Sequence, residues 1–435
     1  MKYDTTVVDR ILENVPLPKM VRVRQKFDSS HIENISVAVR TELMRSNISD
    51  RVKPGMKIAV SCGSRGVANI NLILKEIVAV LNELGAEPFI FPAMGSHGGA
   101  TAVGQKKILY SYGVTEAFCG CPILSSMEVK QIATTPTGEP VYIDKNAAEA
   151  DGIIPVNRIK PHTDFQYTYE SGLMKILTIG MGKQKGAEIC HSWGPDHLAA
   201  RIEMIANLIM ENANILFGVG TVENAYDQTC ILRALTPEEI KSEEPKILLQ
   251  AYNRMAQIYF KNIDVLVVDE IGKEISGSGA DPNITGHFAT NCVKPGMVNA
   301  SKRVYLDLTE ETDGNAVGIG MCDITTLRAV EKVDFGKTFP NSITSTILSA
   351  AMIPLFLKNQ REAIKCGIYS CNCRDQSQVK LVRIKNTMNL GEIEISEALL
   401  DEALRNPAVE ILSEPEFMRF DASGNLFSDA GNAEV

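Results

Sequence analysis

Residues 57–91 read KIAVSCGSRGVANINLILKEIVAVLNELGAEPFIF, and their hydrophobic pattern changes period twice. Lys57 to Ser61 is an apolar run of strand length, following a turn at Pro54 and Gly55. Ile70, Ile73, Leu74, Ile77, Val80, Leu81 and Leu84 then recur at the spacing of one face of an amphipathic helix. Gly85 ends that helix as a C′ residue, and Pro88 to Phe91 is a second strand. Strand, helix and strand in this order predict a β-α-β unit and a parallel sheet.

A parallel sheet makes position informative, because ligands of open α/β sheets bind at the loops following the carboxyl ends of the strands. The first such loop is Cys62-Gly63-Ser64-Arg65-Gly66, where the planar Arg65 guanidinium suits a carboxylate or phosphate. The second, Ala93 to Gly99, carries His97 between residues too small to crowd it, which suits an acid-base or ligand role. A strand at Gly152 to Val156 leads into a third, Asn157 to Asp164, which carries His162. The three loops can converge although their residues lie far apart in sequence. Downstream, Lys175 sits in the apolar context L-M-K-I-L, where a lysine must be exposed, paired or chemically engaged. His191 follows, so the chain's six histidines place two within thirty residues with a lysine between them.

The charge balance restricts partners. A net charge of −9 with scattered Lys and Arg excludes a nucleic-acid surface, which needs clustered cations. No apolar run reaches a membrane span, and the acidic N-terminus is not that of a signal peptide, so a cytoplasmic protein is expected. The ten cysteines are expected to be reduced thiols. The pairs Cys119/Cys121 and Cys371/Cys373 lack zinc-ribbon spacing.

At 435 residues the chain exceeds one ordinary core. We expect two α/β domains, the first with a Rossmann-like parallel sheet and the active site in the cleft between them. Residues 1–272 would form the cofactor-binding and catalytic domain, 273–395 the second, and 396–435 a helix and tail packing back on the first. Within the first, Ile35 to Met44 reads as a helix, as does a segment from Pro195 carrying Leu198, Ile202, Ile205 and Ile209. A further helix starts from a capping box at Thr236-Pro237-Glu238-Glu239. The Gly- and Ser-rich stretch after Glu270 is the expected boundary. In the second domain Ser342 to Leu357 reads as a helix broken at Pro354, and Val379 to Ile384 as a strand.

These residues alone leave several function classes open. A His-ligated metal hydrolase could use His97, His162 and His191, although no H-x-H or H-E-x-x-H spacing supports zinc. A nicotinamide dehydrogenase lacks its glycine fingerprint. A non-catalytic anion-binding protein would leave the histidines incidental.

The sequence I-I-P-V-N-R-I-K-P-H, then G-L-M-K, then C-H, with 191 − 175 = 16 residues from Lys175 to His191, resembles the nickel-dependent lactate racemase family. The S-R-G loop with Arg65 and the H-G-G loop with His97 fall at matching places upstream. The resemblance implies a racemase or epimerase that inverts C2 of a 2-hydroxy acid with a nickel-pincer nucleotide. It implies that Lys175 attaches this cofactor covalently, that His191 ligates nickel, and that His97 and His162 are the acid-base pair. Arg65 would bind the substrate carboxylate and Lys273 would supply a second cation. Cofactor-synthesis proteins are implied partners. The chain departs from the family in having C-G-S-R-G where the lactate enzymes have D-x-T-R-P, and in lacking their downstream tryptophan. A 2-hydroxy acid other than lactate, including sugar acids, is therefore expected.

Overall fold

The computed structural model describes residues 5–64, 66–292, 294 and 296–427. The chain divides into two compact units, residues 28–255 and residues 1–27 together with 256–435.

In the 28–255 unit the amphipathic helix forms at Ile70–Glu83, with Ile73, Leu74, Ile77 and Leu81 fully buried. The strands before and after it, Lys57–Cys62 and Glu87–Pro92, pair in parallel with Ile58 opposite Pro88. On its other side Lys57–Cys62 pairs in parallel with Gly152–Ile154. The three strands thus run the same way, and the loops bearing the candidate residues leave from one edge of the sheet. The strand expected to run unbroken from Gly152 to Val156 stops at Pro155. Proline has no N–H for a ladder, and the chain changes partner there: Val156–Arg158 pairs in parallel with Gly218–Glu223 in a different sheet. The helix from Pro195 runs to Asn212, and the Thr236 capping box opens Pro237–Arg254. An antiparallel hairpin, Val129–Thr134 with Pro140–Asp144, completes the unit.

The other unit is built on a nine-stranded mixed sheet. Its parallel part joins Asn262–Val268 to Asn299–Tyr305 on one side and to Leu381–Ile384 on the other. Its antiparallel part places Lys19–Gln25 between Glu392–Ser396 and Val409–Ile411.

This pairing corrects the expected domain limits. The boundary falls between residues 255 and 256. Residues 262–268 belong to the second unit because their apolar run needs parallel partners on both edges, and those partners lie downstream. The tail from 396 joins the sheet of that same unit through Lys19–Gln25, an early strand separated from it by the whole of the other unit. The helix expected over 342–357 is also corrected. A helix forms at Phe335–Ser345 and ends at Thr346 in a left-handed conformation, and Leu355–Leu357 is an edge strand. No disulfide joins any of the ten cysteines. Among the described residues no helix is long and apolar enough to cross a membrane.

Candidate active site

The loop after Glu87–Pro92 turns back sharply at His97. Gly98 and Gly99 have φ of +65° and +64°. A Cβ on Gly98 would lie 2.5 Å from the carbonyl carbon of Gly104, so only glycine fits there. The turn leaves His97 exposed at the carboxyl edge of the parallel sheet.

His162 is held from several sides. Mutual main-chain hydrogen bonds between Lys160 and Ser171 (2.9 and 3.1 Å) close the loop that contains it. Its main-chain N–H donates to Glu170 Oε2 (2.6 Å), and Tyr252 holds the other oxygen of that carboxylate (2.8 Å). The ring is buried and stacks on Phe165 with centroids 4.1 Å apart. The Asp164 N–H donates to Nδ1 (3.1 Å), and the Asp164 carboxylate lies 3.7 Å from the same atom. On the opposite side of the ring, Nε2 is 2.6 Å from Lys175 Nζ. The fold thus brings Lys175, thirteen residues on, onto the ring.

Lys175 ends the short helix Leu173–Lys175, whose first turn receives a buried carboxylate. Glu244 Oε2 accepts from the Met174 N–H (3.2 Å), and burial raises the Glu244 pKa to about 8. A Cβ on Gly172 would sit 2.0 Å from Glu244 Oε1, so glycine is required for the carboxylate to approach. The chain then makes a π-helical turn, Ile176–Gly180, a feature frequent at functional sites. Helix Lys183–His191 follows.

His191 lies half-buried at the end of that helix. Burial, and after it the charge of Lys175, lowers its pKa and keeps the imidazole neutral with a lone pair available. The turn beyond is pinned by Trp193 Nε1 donating to Glu139 (2.7 Å) and by Arg201 reaching Ile189 O (3.0 Å). Burial pushes the neighbouring Cys190 thiol up to about 12, so it stays protonated and is a poor metal ligand.

Of the residues singled out from sequence, the fold thus joins His162 to Lys175 directly and couples Lys175 electrostatically to His191. Arg65 lies outside the described residues. Lys273 belongs to the other unit, where its Nζ donates to Gly277 O (2.9 Å). Glu170, Glu244, Gln105, Asp144 and Lys183 went unnoticed in the sequence, since single acids, amides and lysines outside a motif carry no spacing signal. Among the described residues no group of three His, Cys, Asp or Glu could hold a metal ion. A metal at His191 would take its remaining donors from a bound ligand. A neutral imidazole suits nickel, and an amine near enough to act on it electrostatically suits covalent attachment, so these residues fit a cofactor that brings its own donors.

Residues 4–197 match the lactate racemase N-terminal domain family. The chain also resembles the solved structure of the lactate racemase apoprotein from Thermoanaerobacterium thermosaccharolyticum. That likeness has a TM-score of 0.53 at 13% identity and covers 85% of this chain and 99% of that one, and at this identity it shows the fold alone. No curated protein sequence matches this chain.

Proposed function

On the premise that the chain belongs to the lactate racemase family through its N-terminal domain, we propose that it inverts the C2 centre of a 2-hydroxy acid as an isomerase. The observation that carries this reading is the contact of Lys175 Nζ with His162 Nε2 at 2.6 Å, together with the charge of Lys175 acting on His191, sixteen residues on.

In this reading Lys175 attaches a nickel-pincer nucleotide and His191 is the protein ligand to its nickel. When bound, the cofactor supplies a carbon that accepts the C2 hydride and returns it. The chain's own residues handle the proton and the position of the substrate. His162 takes the hydroxyl proton at Nε2 in the tautomer whose Nδ1–H turns to the Asp164 carboxylate, 3.7 Å away, in place of accepting the Asp164 N–H, and that carboxylate stabilises the imidazolium that forms. His97 performs the same service for substrate of the opposite hand, since inversion needs a proton acceptor on each face. Arg65 grips the substrate carboxylate through paired hydrogen bonds. Attachment at Lys175 Nζ would take up the amine that lies 2.6 Å from His162 Nε2 and leave that nitrogen to substrate.

The test is the intact mass of protein co-expressed with cofactor-making enzymes. An adduct mapping to Lys175, with nickel by elemental analysis and both lost in Lys175→Ala, supports the reading. Adduct-free protein that still inverts a 2-hydroxy acid refutes it.

A further inference from the structure

Beneath the His97 loop lies a chain of three polar side chains, all fully buried: Gln105, Lys183 and Asp144. The Gln105 carboxamide NH2 donates to three carbonyls of the loop, those of Met94 (3.1 Å), Gly95 (3.0 Å) and His97 itself (3.3 Å). Its oxygen accepts from Lys183 Nζ at 2.9 Å, which fixes which end of the amide faces the loop. Lys183 also donates to Pro92 O (2.5 Å), the last residue of the strand feeding the loop, and pairs with Asp144 at 3.3 Å. Asp144 is anchored in turn by accepting from the Asn146 and Ala147 N–H groups (2.8 and 3.2 Å). Lys183 adopts a left-handed φ of +55°, a strained conformation for a non-glycine residue that persists only when its surroundings enforce it.

The same lysine opens the helix that ends at His191. The His97 loop packs against this segment with no slack: a Cβ on Gly180 would lie 2.7 Å from Ala93 O, and one on Gly95 would lie 3.3 Å from Ala187 Cβ. A buried polar chain is costly unless every member is satisfied. An apolar residue at position 105 would leave the loop carbonyls without their shared donor.

We propose that Gln105, oriented by Lys183, is the positioning residue of His97, setting where that histidine stands relative to Lys175 and His191. The inference rests on the reading of His97 as an acid-base residue. Gln105 touches no reacting atom and acts through the loop. A loop free to drift by about 1 Å loses roughly 100-fold in turnover, because proton transfer demands hydrogen-bond reach.

The test uses the full-length protein loaded with cofactor, with Gln105→Leu and, as a second variant that keeps the contact with Lys183, Gln105→Glu. In both, amide hydrogen exchange over residues 94–100 is expected to accelerate by about tenfold or more, while the mass adduct on Lys175 is unchanged. Turnover is expected to fall about 100-fold with KM within about twofold. In a His97→Ala background, Gln105→Leu is expected to cause no further fall, because its effect runs through the missing ring. An equal fall in both backgrounds, or unchanged exchange over 94–100, overturns the proposal. If His97→Ala retains full activity, the assignment of His97 fails and the proposal falls with it, whereas the exchange measurement still reports whether Gln105 holds the loop.

Discussion

Lys175 and His162 share one short contact, and that contact makes their separate roles testable. Lys175→Ala abolishes the covalent adduct. His191→Ala is expected to keep the adduct and lose the nickel, read by intact mass and elemental analysis of the same sample. The pH dependence of nickel retention follows from the lowered pKa of His191. A depressed value means that the imidazole stays neutral into more acidic solution than an ordinary histidine. Nickel is therefore expected to remain bound as pH falls through about 6.5, where free imidazole is half-protonated. Release with a midpoint at or above that pH would contradict it. The candidate residues His97, His162, Lys175 and His191 were legible because glycine-rich loops and a histidine-lysine-histidine run are rare patterns. Gln105 and Lys183 were not, because Gln105 sits in a weakly patterned helix and Lys183 in M-G-K-Q-K reads as one more surface lysine.

Among the elements, the helix Ile70–Glu83 and the strands flanking it were legible from periodicity alone, since burial on one face imposes the repeat. What periodicity does not carry is a change of partner, as at Pro155, or a carboxylate delivered from a distant helix. Glu244 stands in the acidic stretch S-E-E-P, yet it is buried against the start of Leu173–Lys175. Its pKa is raised from 4.5 to about 8. The folded state therefore holds a proton that the unfolded state has released, and its stability declines as pH rises from about 4.5 to 8. Glu244→Gln is expected to remove this slope, leaving the melting temperature unchanged near pH 4 and raising it by several degrees at pH 9. No difference between the two proteins at pH 9 would show that the carboxylate is not buried as described. Gly172→Ala forces a methyl group onto Glu244 Oε1, and such overpacking typically costs about 1–3 kcal/mol, measured by denaturant unfolding.

At the scale of the whole molecule, the sequence distinguished two α/β domains but misplaced their limits. Local patterns announce strands and say nothing of which distant strand each will join. Lys19–Gln25 is a strand whose neighbours lie nearly four hundred residues later. A fragment of residues 28–255 is therefore expected to unfold cooperatively as a monomeric unit. A fragment of residues 1–272 would carry Asn262–Val268 without its parallel partners and expose an apolar strand, so it is expected to aggregate. Light scattering of the two fragments compares them directly, and a well-behaved 1–272 fragment would argue against the boundary at 255. The central claim, inversion at C2 by a hydride that leaves and returns, is tested most directly with substrate deuterated at that carbon. Cofactor-loaded protein is incubated in ordinary water with single enantiomers of a panel of 2-hydroxy acids, lactate, malate and sugar acids among them. The account predicts that the opposite enantiomer of one of them appears with its deuterium retained, and that Lys175→Ala abolishes it. Inversion with loss of the label to solvent, or no inversion of any acid in the panel, would contradict it.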